Sequence, residues 1–417
     1  MDAFKQFTNG LFDAAKQVSS SLNDNINSSL PGRRYQIRDI LVEEERQVSE
    51  GGFAFIWLAK DVTSGKQYVL KKIVCHDKER VTLAEREVAI FERLPPHSNI
   101  VQYYGHSVSC SGSKKEFVLL LELLAGGHLL DLLNRNNGEL SESQIVCVMK
   151  DIAVGLVHLH SQNPPVQHRD IKIENVLADG RGKYVIVDLG SWSDECADTK
   201  RMSRDQLLQL DDSIERYTTL MYRPPEMTDL YRGFVIDTQV DIWMLGCVLF
   251  TLLCNRHPFQ DESKLAVANA RFHLDSRVYD MYSERMIDLL YWLLCLDPKD
   301  RPTATELVKV LESWHSTKQS IPLPSSAVER KEKERRLYGK GAHPSSMKKA
   351  TISNVFQDAQ PVEVATNGDD WAKWDDQSPN NDWSKFETAP TISEPWAASF
   401  DLSPGTKTKS DVLDLLS

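Results

Sequence analysis

The chain has 417 residues, 41% hydrophobic and 26% charged, enough for two or three ordinary domains or one large domain with extensions. Its formal net charge of −11 excludes a nucleic-acid binder whose affinity rests on neutralising phosphates. Seven dispersed cysteines without a C-x-x-C pair exclude a disulfide framework or a zinc site; they fit a reducing compartment, so a cytoplasmic location is expected.

Residues 1–34 read as an amphipathic segment followed by a linker. Phe4, Phe7, Leu11, Phe12, Ala15, Val18 and Leu22 fall near one helical face, which suits either packing on a folded domain or peripheral contact with a membrane. The mixed polarity is unlike a cleavable leader, and apolar runs such as 242–254 are too short to span a bilayer.

Residues 35–317 carry the pattern of a folded domain. Strand-like runs come first, at 53–59, 67–74 and 117–123, with a helical segment at 79–94 between the second and third. Helices dominate beyond residue 125, at 141–160, 238–253 and 283–296. Strands first and helices later predict an α+β chain of two lobes, 35–122 and 123–317, rather than a continuous βαβ sheet. Residues 318–417 are basic over 329–349 and otherwise polar and acidic, a composition expected to give a disordered tail. Tryptophans at 371, 374, 383 and 396 stand out there, because such tails seldom keep aromatics without a partner to bury them.

The most specific signal is His168-Arg169-Asp170-Ile171-Lys172-Ile173-Glu174-Asn175. It matches H-R-D-x-x-x-x-N, the catalytic loop of protein kinases, whose Asp receives the substrate hydroxyl proton and whose Asn binds Mg²⁺. Asp188-Leu189-Gly190 follows an apolar run where those kinases carry D-F-G, so Asp188 joins Asn175 as a metal ligand. Two lysines compete in Val69-Leu70-Lys71-Lys72-Ile73. Strand alternation puts 69, 71 and 73 on one face, which selects Lys71 for the phosphates and leaves Lys72 facing solvent. Glu87 is the better match to the carboxylate that steadies Lys71, with Glu85 as the fallback. Only the middle glycine of G-x-G-x-x-G, Gly51, is in place in Ser49-Glu50-Gly51-Gly52-Phe53-Ala54, with Gly52 adding freedom. Val48, Ile56, Val69, Leu121, Glu122, Leu124 and Leu177 are expected around an adenine, with Leu121 as gatekeeper.

Further matches lie downstream. Pro224-Pro225-Glu226 occupies the A-P-E position with Arg301 as its expected partner, and Asp241-Ile242-Trp243 with Gly246 matches the helix that anchors the catalytic loop. Thr219, together with Lys172, argues for serine and threonine over tyrosine as acceptor.

Ser49–Phe55, His168–Asn175 and Tyr222-Arg223-Pro224-Pro225-Glu226-Met227 with Asp229-Leu230-Tyr231 resemble the Numb-associated kinase family over residues 36–316. The resemblance implies a bilobal kinase fold with an extra helix after the P-P-E segment, ATP and Mg²⁺ as cofactors, and transfer to Ser or Thr of endocytic and clathrin-adaptor proteins. Leu189 and Leu220 depart from the family pattern. In the tail, Trp383-Ser384-Lys385-Phe386 is similar to a W-x-x-F adaptor-ear motif, Glu394-Pro395-Trp396 to D-P-W, and Leu413–Leu416 with its aspartates to clathrin-box sequences. These imply adaptor ears or clathrin as partners, no nucleic acid, and a peripheral place at coated membranes. The basic run 330–349 suits either anionic lipid or a solvated helix. The competing reading is a pseudokinase scaffold that displays the tail.

Overall fold

The computed structural model describes residues 32–50, 54–112, 114–259, 264–317 and 320–338. The N-terminal amphipathic segment, Gly51 and Gly52, and the tail motifs at Trp371, Trp383–Phe386, Trp396 and Leu413–Leu416 lie outside these residues.

The N-terminal lobe is a six-stranded antiparallel sheet. Its strands are β1 (Arg34–Ile37), β2 (Ile40–Glu50), β3 (Ala54–Asp61), β4 (Gln67–Cys75), β5 (Tyr103–Ser111) and β6 (Lys114–Glu122), in the order β1-β2-β3-β4-β6-β5. Helix α1 (Lys78–Arg93) follows β4; Asp77 caps it by accepting from the Arg80 amide. Its buried stripe is Ala84, Glu87, Val88 and Phe91, the i, i+3, i+4, i+7 spacing of one helical face, with Ile90 beside it. A carboxylate in that stripe requires a cation across the interface.

Alternation in β4 is clean. Val69, Lys71 and Ile73 face the cleft, while Tyr68 and Leu70 pack on the opposite side with Tyr35, Ile37, Val42, Ala59, Val118 and Leu120. Lys72 departs from the sequence expectation. It points away from the cleft but not into solvent: it is only 8% exposed. The β1–β2 hairpin folds over that face, so Lys72 forms an ion pair with Glu44 and lies 4.5 Å from the Trp57 ring centroid. Desolvation by the second small core is thus offset by a carboxylate and a π-face.

The C-terminal lobe begins with β7 (Gly127–His128), α2 (Leu129–Arg135) and α3 (Glu142–His160), whose start carries a Ser141/Gln144 capping box. The short strand β8 (Val176–Ala178) pairs with β7 on one side and with β9 (Tyr184–Ile186) on the other, just beyond the catalytic loop. Next come β10 (Ala197–Asp198), α4 (Arg204–Tyr217), α5 (Pro225–Thr228) and β11 (Val235–Ile236). Helix α6 (Gln239–Cys254) is buried at every position from Val240 on, as befits a helix apolar all round at the centre of a lobe. Gly246 lets α6 approach closely: a Cβ there would stand 2.7 Å from Leu294 Cδ2. Helices α3 and α9 (Glu284–Leu293) pack on α6, α10 (Ala304–Glu312) packs on α3, α7 (Lys264–Ala268) packs on α5, and α8 (Ser276–Met281) leads into α9. Among the described residues no helix is long and apolar enough to cross a membrane.

Two differences from the sequence reading concern helices. The helix expected after Pro224-Pro225-Glu226 stands before it, as α4, and only the four-residue α5 and a 3-10 turn follow. The folded region also runs past residue 317: α11 (Ser325–Tyr338) docks on the C-terminal lobe. Ile321 and Ala327 are buried, the Arg330 guanidinium lies over the Phe272 and Tyr291 rings and donates to Leu294 O at 2.8 Å, and Lys331 pairs with Asp288. The helix start of the basic run is therefore neither disordered nor simply solvated. Its charged composition hides how much of it is anchored through long aliphatic stems and ring faces.

The buried pair Glu226–Arg301 holds the lobe's edge, with contacts of 2.6 and 2.8 Å and both side chains fully enclosed. Arg301 also donates to the Cys295 and Gln239 carbonyls, so its donors are matched. Glu226→Gln should lower unfolding free energy by about 3–5 kcal/mol, because it strands a buried guanidinium; urea titration with unchanged slope would measure it. At Glu334, burial pushes the carboxyl up to about 7, against the Leu274 amide and Arg256. The folded state then binds the proton more tightly than the unfolded one, so this contribution is present at low pH and is lost as pH rises through the folded value. Wild-type stability should decline between about pH 5 and 8 more steeply than that of Glu334→Gln in the same titration.

Candidate active site

The cleft between the lobes has a volume of about 560 Å³. Its upper wall comes from β3, β4 and α1, its lower wall from the catalytic loop and the segment after β9.

Lys71 joins three parts of the chain. Its Nζ lies 2.7 Å from Glu87 Oε1 on α1 and 2.7 Å from Asp188 Oδ1. Glu85, the fallback, points outward and pairs with Lys115 instead. Burial pulls the Lys71 ammonium down, but the Asp188 and Glu87 carboxylates outweigh it and hold it above its ordinary value. The ammonium in turn holds the Asp188 carboxyl well below the usual carboxylate range. Both charges therefore persist across the physiological range. Asp188 sits at φ +63°, and its Oδ1 also accepts from the Gly190 amide at 3.2 Å.

The lower wall is tied to α6. Asp241, with no solvent exposure, accepts from the His168 and Arg169 amides at 2.8 Å each and from His160 Nε2 at 2.9 Å. Arg169 takes φ +65°, and the chain turns there so that Asp170 enters the cleft. Around the Asp170 carboxylate three groups converge. Thr219 Oγ1 donates to Oδ1 at 2.7 Å, Lys172 Nζ lies 2.7 Å from Oδ2, and Asn175 Nδ2 donates to Oδ2 at 2.9 Å. Lys172 bonds Thr219 Oγ1 at 3.1 Å; burial pulls its ammonium down, yet Asp170 keeps it above its ordinary value. The arrangement leaves a carboxylate with fixed orientation, next to a cation, at the mouth of the cleft. Such a carboxylate can accept a proton from an incoming hydroxyl.

Ala54, Ile56, Val69, Leu121, Leu124 and Leu177 form an apolar slot deeper in, with Glu122 at its edge. That lining suits a flat aromatic ring. Val48 packs against Leu58, Ile56 and Leu123, and the last two line the cleft, so it lies directly beside the slot. Past Leu121 the cleft continues to Leu83, Ala84, Phe91 and Val101. Reading the sequence missed His128 and Glu174 on the wall, where His128 Nδ1 meets the Glu174 carbonyl at 3.0 Å. Neither belongs to a spacing pattern, and only the turn of the catalytic loop brings them together.

Among the described residues no cluster of three or more His, Cys, Asp or Glu forms a metal cage. A magnesium site does not need one: Mg²⁺ is commonly held by one or two carboxylates together with substrate phosphates and water. Asp188 and Asn175 fit that donor set, since the Asn175 amide nitrogen is committed to Asp170 and its oxygen is the end with lone pairs for a cation.

The protein kinase domain family matches residues 42–311 of the chain. Two probable serine/threonine-protein kinases of Dictyostelium discoideum are each 32% identical, over 71% and 75% of this chain and 26% and 40% of their own lengths. A serine/threonine-protein kinase of Schizosaccharomyces pombe is 32% identical over 76% of this chain and 34% of its own length. The chain thus spans well under half of these relatives. If Lys71 and Asp188 bind a nucleotide with its metal, Mg-ATP at about 100 times its Kd should stabilise the wild type by ~2.7 kcal/mol. Asp188→Asn should remove most of that gain in the same thermal-unfolding measurement.

Proposed function

Starting from a chain that belongs to the protein kinase family, we propose that it transfers the γ-phosphoryl group of ATP to serine or threonine hydroxyls of proteins. The observation that carries the reading is the cluster of Asp170, Lys172, Thr219 and Asn175 facing the Lys71–Glu87–Asp188 triad across one cleft. Asp170 orients the acceptor hydroxyl and takes its proton, and Lys172 neutralises charge on the transferred group. Lys71, steadied by Glu87, binds the nucleotide phosphates. Asp188 and Asn175 would hold a magnesium ion, whose charge would stabilise the phosphate oxygens. Ala54, Ile56, Val69, Leu121, Glu122, Leu124 and Leu177 take the adenine. Thr219, bonded to both Asp170 and Lys172, favours serine and threonine over tyrosine as acceptor.

The finer reading is a kinase of the Numb-associated type, acting in the cytoplasm and peripherally at coated membranes on endocytic proteins, clathrin adaptors foremost. It rests on Ser49–Phe55 and Tyr222–Tyr231, and on the tail motifs Trp383–Phe386, Trp396 and Leu413–Leu416 as ligands for adaptor ears or clathrin. Incubation of the full chain with radiolabelled ATP and a clathrin-adaptor subunit tests both levels. Label should enter Ser or Thr and fall by about 10²–10⁴-fold in Asp170→Ala. Equal incorporation by both proteins, or none into any acceptor, would leave the scaffold reading in its place; label in other proteins alone would remove the adaptor assignment.

A further inference from the structure

The helix that carries Glu87 is held from outside by a residue no motif singles out. Trp192 lies four positions beyond Asp188, on the stretch that leaves the Lys71 site. Its indole Nε1 donates to the Arg86 carbonyl at 3.0 Å, and the Arg86 guanidinium donates back to the Trp192 carbonyl at 3.2 Å. Arg86 immediately precedes Glu87. Arg86 and Arg93 are seven residues apart, two turns of helix, and so lie on one stripe of α1. Both guanidinium groups approach the face of the indole, at 5.6 and 5.4 Å from the ring centroid. Arg93 then continues to Asp194 at 2.6 Å and to the Pro164 carbonyl at 3.0 Å, fastening the last turn of α1 to the C-terminal lobe. At the other end of the helix Glu79 pairs with Arg216 of α4.

These contacts close a ring. Lys71 binds Glu87, Glu87 rides on α1, α1 is gripped by Trp192, and Trp192 follows Asp188, which binds Lys71 again. A helix free to rotate would take Glu87 away from Lys71, since a rotation of about 100°, one residue's worth, carries a side chain off its face. We infer that Trp192 is a positioning residue for phosphoryl transfer: the indole, clasped by Arg86 and Arg93, fixes α1 so that Glu87 stays on Lys71. The grip is made of side chains and backbone carbonyls already in place, so the Lys71–Glu87 pair is assembled without any added group on the segment 188–226. The inference rests on the kinase reading above.

The test uses the full chain with Trp192→Ala and Trp192→Phe, a threonine acceptor peptide selected from a random library, and amide hydrogen exchange read across 78–93. In Trp192→Ala the KM for ATP should rise about ten-fold with a smaller fall in kcat, while the KM for the peptide stays at the wild-type value. Exchange across 78–93 should accelerate about ten-fold with the C-terminal lobe unchanged. Trp192→Phe keeps a ring under the two guanidinium groups but lacks the indole donor, and should recover about half of the loss on a logarithmic scale. Wild-type KM for ATP in Trp192→Ala, unchanged exchange across 78–93, or acceleration spread over both lobes would each overturn the inference. Absence of phosphoryl transfer by the wild type would fail the kinase reading instead, and the exchange of 78–93 would still decide whether Trp192 fixes the helix.

Discussion

The enclosed carboxylate of Asp241 is the constraint on which the site depends. Its two oxygens meet two consecutive backbone amides and an imidazole, and the second of those amides belongs to a non-glycine residue at positive φ. A left-handed backbone costs an L-residue about 1–2 kcal/mol, and it persists only where the surroundings over-determine it. Asp241 supplies that over-determination through charge-assisted bonds in a low-dielectric interior. The turn at Arg169 then aims Asp170, and everything that gathers on Asp170 inherits its position from a helix buried at the centre of the lobe.

A second constraint couples the lobes. The segment from Asp188 to Glu226 is fastened at both ends by ion pairs, Asp188 to Lys71 of the sheet and Glu226 to Arg301 of the C-terminal lobe. Between them Thr218 and Arg223 bond one another, and α4 reaches α1 through Arg216. The two terminal pairs differ in kind. Glu226–Arg301 is fully enclosed and satisfied, and so belongs to the architecture. Lys71–Asp188 opens onto the cleft and keeps partners that a ligand can replace.

Much of this was legible in the sequence, and the reason is chemical. Proton acceptance, metal ligation and phosphate binding each demand one residue type at a fixed offset, so Asp170, Asn175, Asp188 and Lys71 stand out from spacing alone, and strand alternation separates Lys71 from Lys72. What alternation cannot give is the environment of the other face. Lys72 is covered because the β1–β2 hairpin folds over it, a tertiary fact with no local trace. Helix α11 was hidden for a related reason: Arg330 and Lys331 read as solvated charges, yet one lies on two aromatic rings and the other between acids of α9. The position of α4 before rather than after Pro224 and the grip of Trp192 on α1 also depend on long-range packing. Local pattern reports chemistry well and coverage poorly.

The charges around the cleft have a consequence for the order in which ligands arrive. Lys71 and Lys172 set two ammonium groups against the carboxylates of Glu87, Asp170 and Asp188, leaving a formal excess of one negative charge. A bare polyanionic nucleotide therefore approaches a site that already neutralises its own lysines, and gains little from them. A divalent cation approaching the same site meets Asp188 with its charge intact and an amide oxygen beside it. On the function proposed above, the pocket would favour a nucleotide that brings its metal along, and Lys71 would change partners on its arrival rather than find its first one.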